Sequence, residues 1–347
     1  MKSLKILLLL VSICVTQSLN AQIKTLKGEN LSSTAIDKFI QQQMDSLKIP
    51  ALSIAFIKNN KIVYYKATGV RNAEHGRVDN NTIFEAASMT KTVFAYAVLK
   101  LVKERVLSLD TPLYKYYPYD DISSDERYKL ITARMVLDHS TGFPNWRENN
   151  KLTINFTPGS KFGYSGEAFE YLGQVVKHLT GKNTDELIKE YVFNPLSIKN
   201  SYLTYTEYVK KHLTDGLKDN KTWGKNDLYL QPYVSYSLYT DAKDYAKFVI
   251  QLMKESDTAN STFQSMSAPQ LELDTAEMKT KISACLGIFA EQTPYGVKYF
   301  HPGNNDDRFT SIFEFYKDSK IGVVYFMNCV KQNELTKRLN EFLVSGK

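Results

Sequence analysis

The chain has 347 residues, of which 43% are hydrophobic and 12% aromatic, and its formal net charge is +7. That length and apolar content fit one or two folded domains with a sizeable core and exclude a disordered chain. The charge excess is mild and forms no basic stripe, so no nucleic-acid partner is implied. CxxC pairs, HExxH, Asp-rich loops and Gly-rich phosphate loops are missing, so neither a metal nor a nucleotide cofactor is expected.

Met1 to Ala21 reads as a secretory signal. Lys2 and Lys5 make the basic start, Ile6 to Val15 the apolar run, and Leu19-Asn20-Ala21 a small-residue cleavage site. The run is too short to span a bilayer and no later segment is long enough, so the product is expected to be periplasmic or secreted, without stable membrane insertion. Lipid anchoring at Cys14 fits poorly because bulky Ile13 precedes it. Cys285 and Cys329 could pair in such a compartment or stay as two buried thiols, and both readings stand.

Thr34-Ala35-Ile36-Asp37 resembles a capping box, and Ile36, Phe39, Ile40, Met44 and Leu47 mark one face of a helix that Pro50 ends. Leu52 to Ile57 and Ile62 to Tyr65 form a hairpin around Asn59-Asn60, residues that tolerate the positive φ of a tight turn. From about 80 to 273 the pattern is helical with proline-punctuated loops. Period-two runs return at Ala284 to Ala290, Val297 to His301, Thr310 to Tyr316 and Ile321 to Met327. Leu335, Leu339, Phe342 and Leu343 mark a closing helix. The fold class is therefore α/β of the α+β kind: an antiparallel sheet built from both chain ends (about 22–79 and 274–347), flanked by N- and C-terminal helices, with a large, mainly helical insertion (about 80–273).

Within the insertion, Phe94, Ala97, Val98, Leu101 and Val102 follow helical spacing, which puts Ser88 at the helix start and Lys91 one turn on. A desolvated lysine there can take the serine proton and turn a poor nucleophile into a good one. Alone the match is weak, since Ser88 could be an ordinary N-cap and Lys91 a solvated side chain.

Three later stretches change that reading: Leu137-Asp138-His139-Ser140-Thr141-Gly142-Phe143-Pro144, Thr157 to Gly166 with Tyr164-Ser165-Gly166, and His301-Pro302-Gly303. In this order and spacing with Ser88-x-x-Lys91, they resemble the serine β-lactamase and penicillin-binding-protein superfamily, in the branch of class C β-lactamases, D-alanyl-D-alanine carboxypeptidases and related esterases. The likeness covers essentially the whole mature chain. It implies a β-lactamase/transpeptidase-like fold and an exported serine hydrolase with Ser88 as acylated nucleophile, while Lys91 and Tyr164 share proton transfer. It also implies that His301 orients Tyr164 and attracts a substrate carboxylate, and that the N–H groups of Ser88 and Asn304 form an oxyanion hole. Gly166, Gly303, Asn304 and Arg308 are the substrate-binding candidates. Gly303 is read as leaving room for substrate beside the strand, Pro302 as an edge residue, and Arg308 either as a carboxylate grip or as an exposed loop arginine.

Gly166 departs from the family, which has asparagine there; this tilts the reading toward small esters or short D-amino-acid peptides and away from β-lactams. A true β-lactamase and a catalytically impaired penicillin-binding or sensor module are the rivals. His139 is expected to be a structural loop residue, and His75, His178 and His212 surface or packing residues. Trp146, Trp223, Tyr233, Tyr236 and Tyr239 are candidates for the cleft wall. The sequence is silent on oligomeric state.

Overall fold

Asn59 and Asn60 both adopt left-handed backbone (φ 50° and 61°) and close the hairpin on which the main sheet starts. The computed structural model describes residues 23–74, 76–218, 222–224, 228–273 and 280–346. The expected signal segment, including Cys14, and His75 lie outside them.

In chain order the elements are β1 (Ile23–Lys24), β2 (Asn30–Leu31), α1 (Ser33–Leu47), β3 (Ala51–Lys58), β4 (Lys61–Gly69), β5 (Phe84–Glu85) and α2 (Met89–Lys103). Then come α3 (Ala133–Leu137), α4 (Gly166–Thr180), α5 (Thr184–Ile188), α6 (Glu207–His212), β6 (Gly216–Lys218), β7 (Thr222–Gly224), β8 (Tyr239–Thr240), α7 (Ala242–Glu255) and α8 (Thr262–Ser267). The chain closes with β9 (Leu271–Leu273), β10 (Ile282–Ala284), β11 (Phe289–Thr293), β12 (Gly296–Asn305), β13 (Phe309–Tyr316), β14 (Ile321–Met327) and α9 (Gln332–Ser345). The eight-stranded sheet has the order β4-β3-β14-β13-β12-β11-β10-β9 and every neighbouring pair is antiparallel.

Alternation along β3 explains the layering. Leu52, Ile54 and Phe56 point to one face, where they meet α1 and α9 through Ile36, Phe39, Leu339 and Phe342; the Phe39 and Phe342 rings stack at 4.1 Å. Ala51, Ala55 and Ile57 point to the other face, which packs on α2 and α7. Both faces of the central strands are covered, so β13 and β14 are buried along their whole length. Helix α2 lies in the middle of the larger core and is buried on nearly every side.

Three details depart from the sequence reading. Ser32, not Thr34, caps α1, accepting from the Ala35 N–H at 3.1 Å. The Ala284 to Ala290 run is two strands: Gly287 turns at φ 81° between β10 and β11, because a side chain there would stand 2.2 Å from Ala95 of α2. The sheet's outermost strand, β9, begins before the period-two region was expected to start. Of the two readings open for Cys285 and Cys329, the structure has the free, buried thiols, and burial pushes each up to about 12.

Pro302 sits at an edge for a local reason. The β11–β12 pairing stops at Phe289 opposite Phe300, so from His301 onward β12 has β13 on one side only and presents its other side to the cleft.

Candidate active site

The nucleophile turn is built by a residue in an uncommon conformation. Ala87 has φ 50°, which costs an alanine about 1–2 kcal/mol, and it swings the chain from β5 into α2. The turn is fastened on several sides. Ala86 donates to Leu238 O at 2.7 Å and accepts from Ser311 Oγ at 2.8 Å, Thr90 Oγ1 donates to Ala87 O at 2.6 Å, and Tyr245 OH donates to Met89 O at 2.9 Å. Ser88 then enters α2 already in helical backbone (φ −64°, ψ −11°) and makes no capping bond. An ordinary N-cap is extended and uses its hydroxyl as an acceptor for the first helical N–H groups. Here the hydroxyl is left for other work.

Lys91, fully buried one turn along, donates to Ser88 Oγ at 3.1 Å and to Ser235 O at 2.9 Å. Both acceptors are neutral. Burial therefore brings its pKa down to about 7, only partly opposed by the charge of Glu170. Near neutral pH a large share of Lys91 is free amine, facing a hydroxyl within hydrogen-bond reach.

Tyr164 lies before α4 with Lys91 Nζ 5.0 Å from its ring centre and with its phenol interacting with the Ser88 hydroxyl. Burial pushes the phenol well above its usual range and the Ser88 contact opposes this, so it stays protonated at neutral pH. His139 stacks on Tyr164 at 4.2 Å between ring centres, accepts from the Ser165 N–H through Nδ1 at 3.2 Å, and is fully buried. The loop histidine is thus the floor under the tyrosine ring, a placement that adjacency in sequence does not reveal.

His301 joins the group, with its ring centre 6.3 Å from that of Tyr164, but its expected role is corrected. Its Nδ1 hydrogen-bonds to Pro302 O at 2.7 Å and its buried Nε2 has no hydrogen-bond partner, so it does not tie down the phenol. Burial, reinforced by Lys91, takes its pKa to about 3. A neutral imidazole offers a substrate carboxylate no charge.

Ser88 opens on two arms of one cleft. One arm, of about 370 Å³, is lined by Asn145, Trp146, Tyr229, Tyr236 and Asn304 to Asp306. The other, of about 380 Å³, is lined by Asn145, Tyr164, Pro302 to Asn304, Asp306, Asp307 and Gln332. Asn304 therefore stands beside Ser88 in both. Of the aromatic candidates, Trp146 and Tyr236 form the wall and Tyr233 lines an adjoining cavity. Tyr239 is buried below, and Trp223 packs against the core on the α1–α9 face of the sheet.

Three further expectations change. Gly303 lines the cleft, and it is small because a Cβ would stand 2.4 Å from Ala86 O and from Ser311 Oγ, so its missing side chain makes room for the turn before Ser88. Arg308 packs against Gly216 and Gly224 and pairs with Asp306 at 3.0 Å, outside the lining of either arm. At Gly166 a Cβ would stand 2.6 Å from the Trp146 indole, so the ring fills the space an asparagine would need. Sequence reasoning also missed Ser235 and Glu170. Ser235 contributes its carbonyl, which leaves no signature. Glu170 could have been found, since it follows Gly166 by one helical turn on the same face of α4.

A serine at a helix start, backed by a buried lysine one turn on and flanked by a phenol, has the geometry of an activated nucleophile. The Beta-lactamase family model matches residues 36–345, and the chain belongs to that family. It is 25% identical over 342 residues to the protein flp of Staphylococcus aureus (strain MW2), covering 92% of this chain and 68% of that one. It is also 30% identical over 196 residues to a putative D-alanyl-D-alanine carboxypeptidase of Escherichia coli (strain K12), covering 47% of this chain and 45% of that one. Among solved structures, a class C beta-lactamase superimposes with a TM-score of 0.77 at 18% identity, over 90% of this chain and 95% of its own. The octameric penicillin-binding protein homologue from Pyrococcus abyssi gives 0.75 at 22%, over 89% and 78%. These two likenesses are of fold.

Proposed function

We propose that this protein is an exported serine hydrolase that works through an acyl-enzyme on Ser88 and acts on small esters, amides or D-amino-acid peptides. The observation that carries the reading is Lys91: fully buried, 3.1 Å from Ser88 Oγ, with both its hydrogen bonds on neutral oxygens. The free amine takes the Ser88 proton as Oγ attacks the carbonyl carbon. The N–H groups of Ser88 and Asn304 receive the oxyanion, and Tyr164, protonated at rest, gives its proton to the leaving group. Water then enters with the Tyr164 phenolate as base, the acyl group passes to that water, and the Lys91 ammonium returns its proton to Ser88 Oγ.

Esters are favoured within this class. Neither the neutral His301 nor Arg308, which pairs with Asp306 outside the cleft lining, supplies the charge that would hold a substrate carboxylate, and Gly166 removes the amide that the resemblance calls for. This also weighs against the β-lactamase rival, which measurable turnover of a chromogenic cephalosporin would revive. The binding-module rival is weighed against by the meeting of Ser88, Lys91 and Tyr164 in one cleft. Export rests on the pattern of Lys2, Lys5, Ile6 to Val15 and Ala21. Consistent with it, no helix among the described residues is long and apolar enough to cross a membrane. In the test, Ser88→Ala abolishes both hydrolysis of p-nitrophenyl esters and labelling by a fluorophosphonate while keeping the wild-type circular dichroism spectrum. Unchanged labelling would falsify the assignment of the nucleophile.

A further inference from the structure

Several groups face the Lys91 amine. Tyr164 stands before α4, Phe169 and Glu170 belong to α4, Trp146 closes the top, His139 comes from the loop after α3 and His301 from β12. Both imidazoles are held neutral by burial and the phenol is held protonated, so among these Glu170 is the acidic side chain; burial raises its carboxyl above the usual range, and the hydrogen bonds from Ser235 and the charge of Lys91 oppose that rise.

Glu170 does not touch Lys91. Its Oε1 accepts from Ser235 N at 3.1 Å and, in a shorter bond, from Ser235 Oγ. The carbonyl of that same serine accepts from Lys91 Nζ at 2.9 Å. One residue, Ser235, thus has its N–H and hydroxyl fastened to the carboxylate and its carbonyl aimed at the amine. Ser235 is fully buried, while Glu170 reaches it from the adjoining cavity of about 410 Å³. The carboxylate is where helix geometry allows one. Position 166 is closed by Trp146, and of the two residues one turn further on the same face of α4, Phe169 and Glu170, the second carries the carboxylate.

We propose that Glu170 is a positioning residue for Lys91: through Ser235 it aims the carbonyl that holds the amine, and its charge steadies the ammonium form. This rests on the reading of Ser88 and Lys91 as nucleophile and base. No proton passes between Glu170 and Lys91, because a peptide separates them; the influence is one of field and aim. Its sign is fixed by the surroundings. Burial strips the proton from Lys91 and Glu170 resists, so neutralising Glu170 makes the amine lose its proton at lower pH.

The test reads lysine amines directly, by NMR of protein labelled with 15N-lysine across pH 4 to 11. One amine should titrate near pH 7 in the wild type and be missing in Lys91→Met. Glu170→Gln keeps an acceptor for Ser235 and removes the charge, and should move that midpoint down by about one pH unit; the acid limb of fluorophosphonate labelling should move with it. Glu170→Asp retracts the charge and should lower the midpoint by less, and it carries the test if the glutamine variant does not fold. An unmoved midpoint in a folded variant overturns the proposal. A wild type that does not label on Ser88 sinks the hydrolase reading but leaves this titration readable, whereas normal labelling with an unmoved titration sinks only the role of Glu170.

Discussion

Two buried lysines in this molecule have opposite fates. Lys91 lies against Ser88 Oγ and Ser235 O, both neutral, and its pKa falls to about 7. Lys298, on β12, is also buried, and desolvation pulls its pKa down too. There, however, Glu314 at 3.6 Å and Glu291 at 2.7 Å more than offset burial, and the net shift is upward. Burial alone therefore does not make a lysine a base; what decides is whether its contacts are neutral dipoles or carboxylates. Lys91 is poised to exchange a proton, whereas Lys298 is locked as a cation that balances a fully buried glutamate.

The largest expected effect separates the two by activity. Lys91→Met should lower the rate of ester hydrolysis by about a hundredfold to ten-thousandfold, the usual worth of a positioned general base. Lys298→Met should leave the rate per folded molecule within a few-fold. Steady-state hydrolysis of p-nitrophenyl acetate, normalised to folded protein, checks both, and comparable losses in the two variants would erase the distinction.

Stability should divide them the other way. Removing Lys298 leaves the Glu314 carboxyl buried without its counter-ion, a change worth about 3 kcal/mol or more. Lys91→Met removes a buried cation whose folded pKa, about 7, is below its ordinary 10.5. Between those values the unfolded chain holds a proton that the folded one has released, so the contribution of Lys91 to stability rises with pH. Lys91→Met should therefore gain most over wild type at pH 6 and less at pH 9. Lys298→Met should be less stable than wild type at both pH values and more so at pH 9, because Glu314, whose carboxyl Lys298 holds down, then keeps in the folded chain a proton that the unfolded chain has released. Urea unfolding at the two pH values measures this; a Lys298→Met variant as stable as wild type would contradict the contrast.

The smallest effect concerns the wall beside Lys91. Gly166→Asn restores the residue type the resemblance calls for, but its Cβ meets the Trp146 ring, and the overpacking should cost about 1–3 kcal/mol. Adding Trp146→Ala should recover most of that loss in the same unfolding assay, while additive losses would show that the ring and position 166 do not share space.

What could be read from the sequence was local or strongly periodic. Ser88 and Lys91 are one turn apart in one helix, so their meeting needs only helix geometry. Asn59-Asn60 carries its own turn chemistry, and β14 and the buried face of α9 follow their apolar pattern. What escaped depends on distant chain. Gly287 splits a strand-like run because α2 passes over it, Gly303 is small because the nucleophile turn presses on it, and Trp146 fills the space at Gly166 from a separate loop. The neutrality of His301 and the stacking of His139 follow from burial, which only the assembled fold supplies. The family resemblance named the candidate residues, and the structure corrected the electrostatics of His301 and placed Arg308 outside the cleft lining.

The central claim is that Ser88 is made nucleophilic by an amine that burial brings to the edge of deprotonation near neutral pH. The most direct measurement is the rate of fluorophosphonate labelling as a function of pH, with the adduct mapped by peptide mass spectrometry. The account predicts a single adduct on Ser88 whose formation rate rises with pH through a midpoint near 7. A midpoint near 10, where an ordinary lysine titrates, or an adduct on another residue, contradicts it.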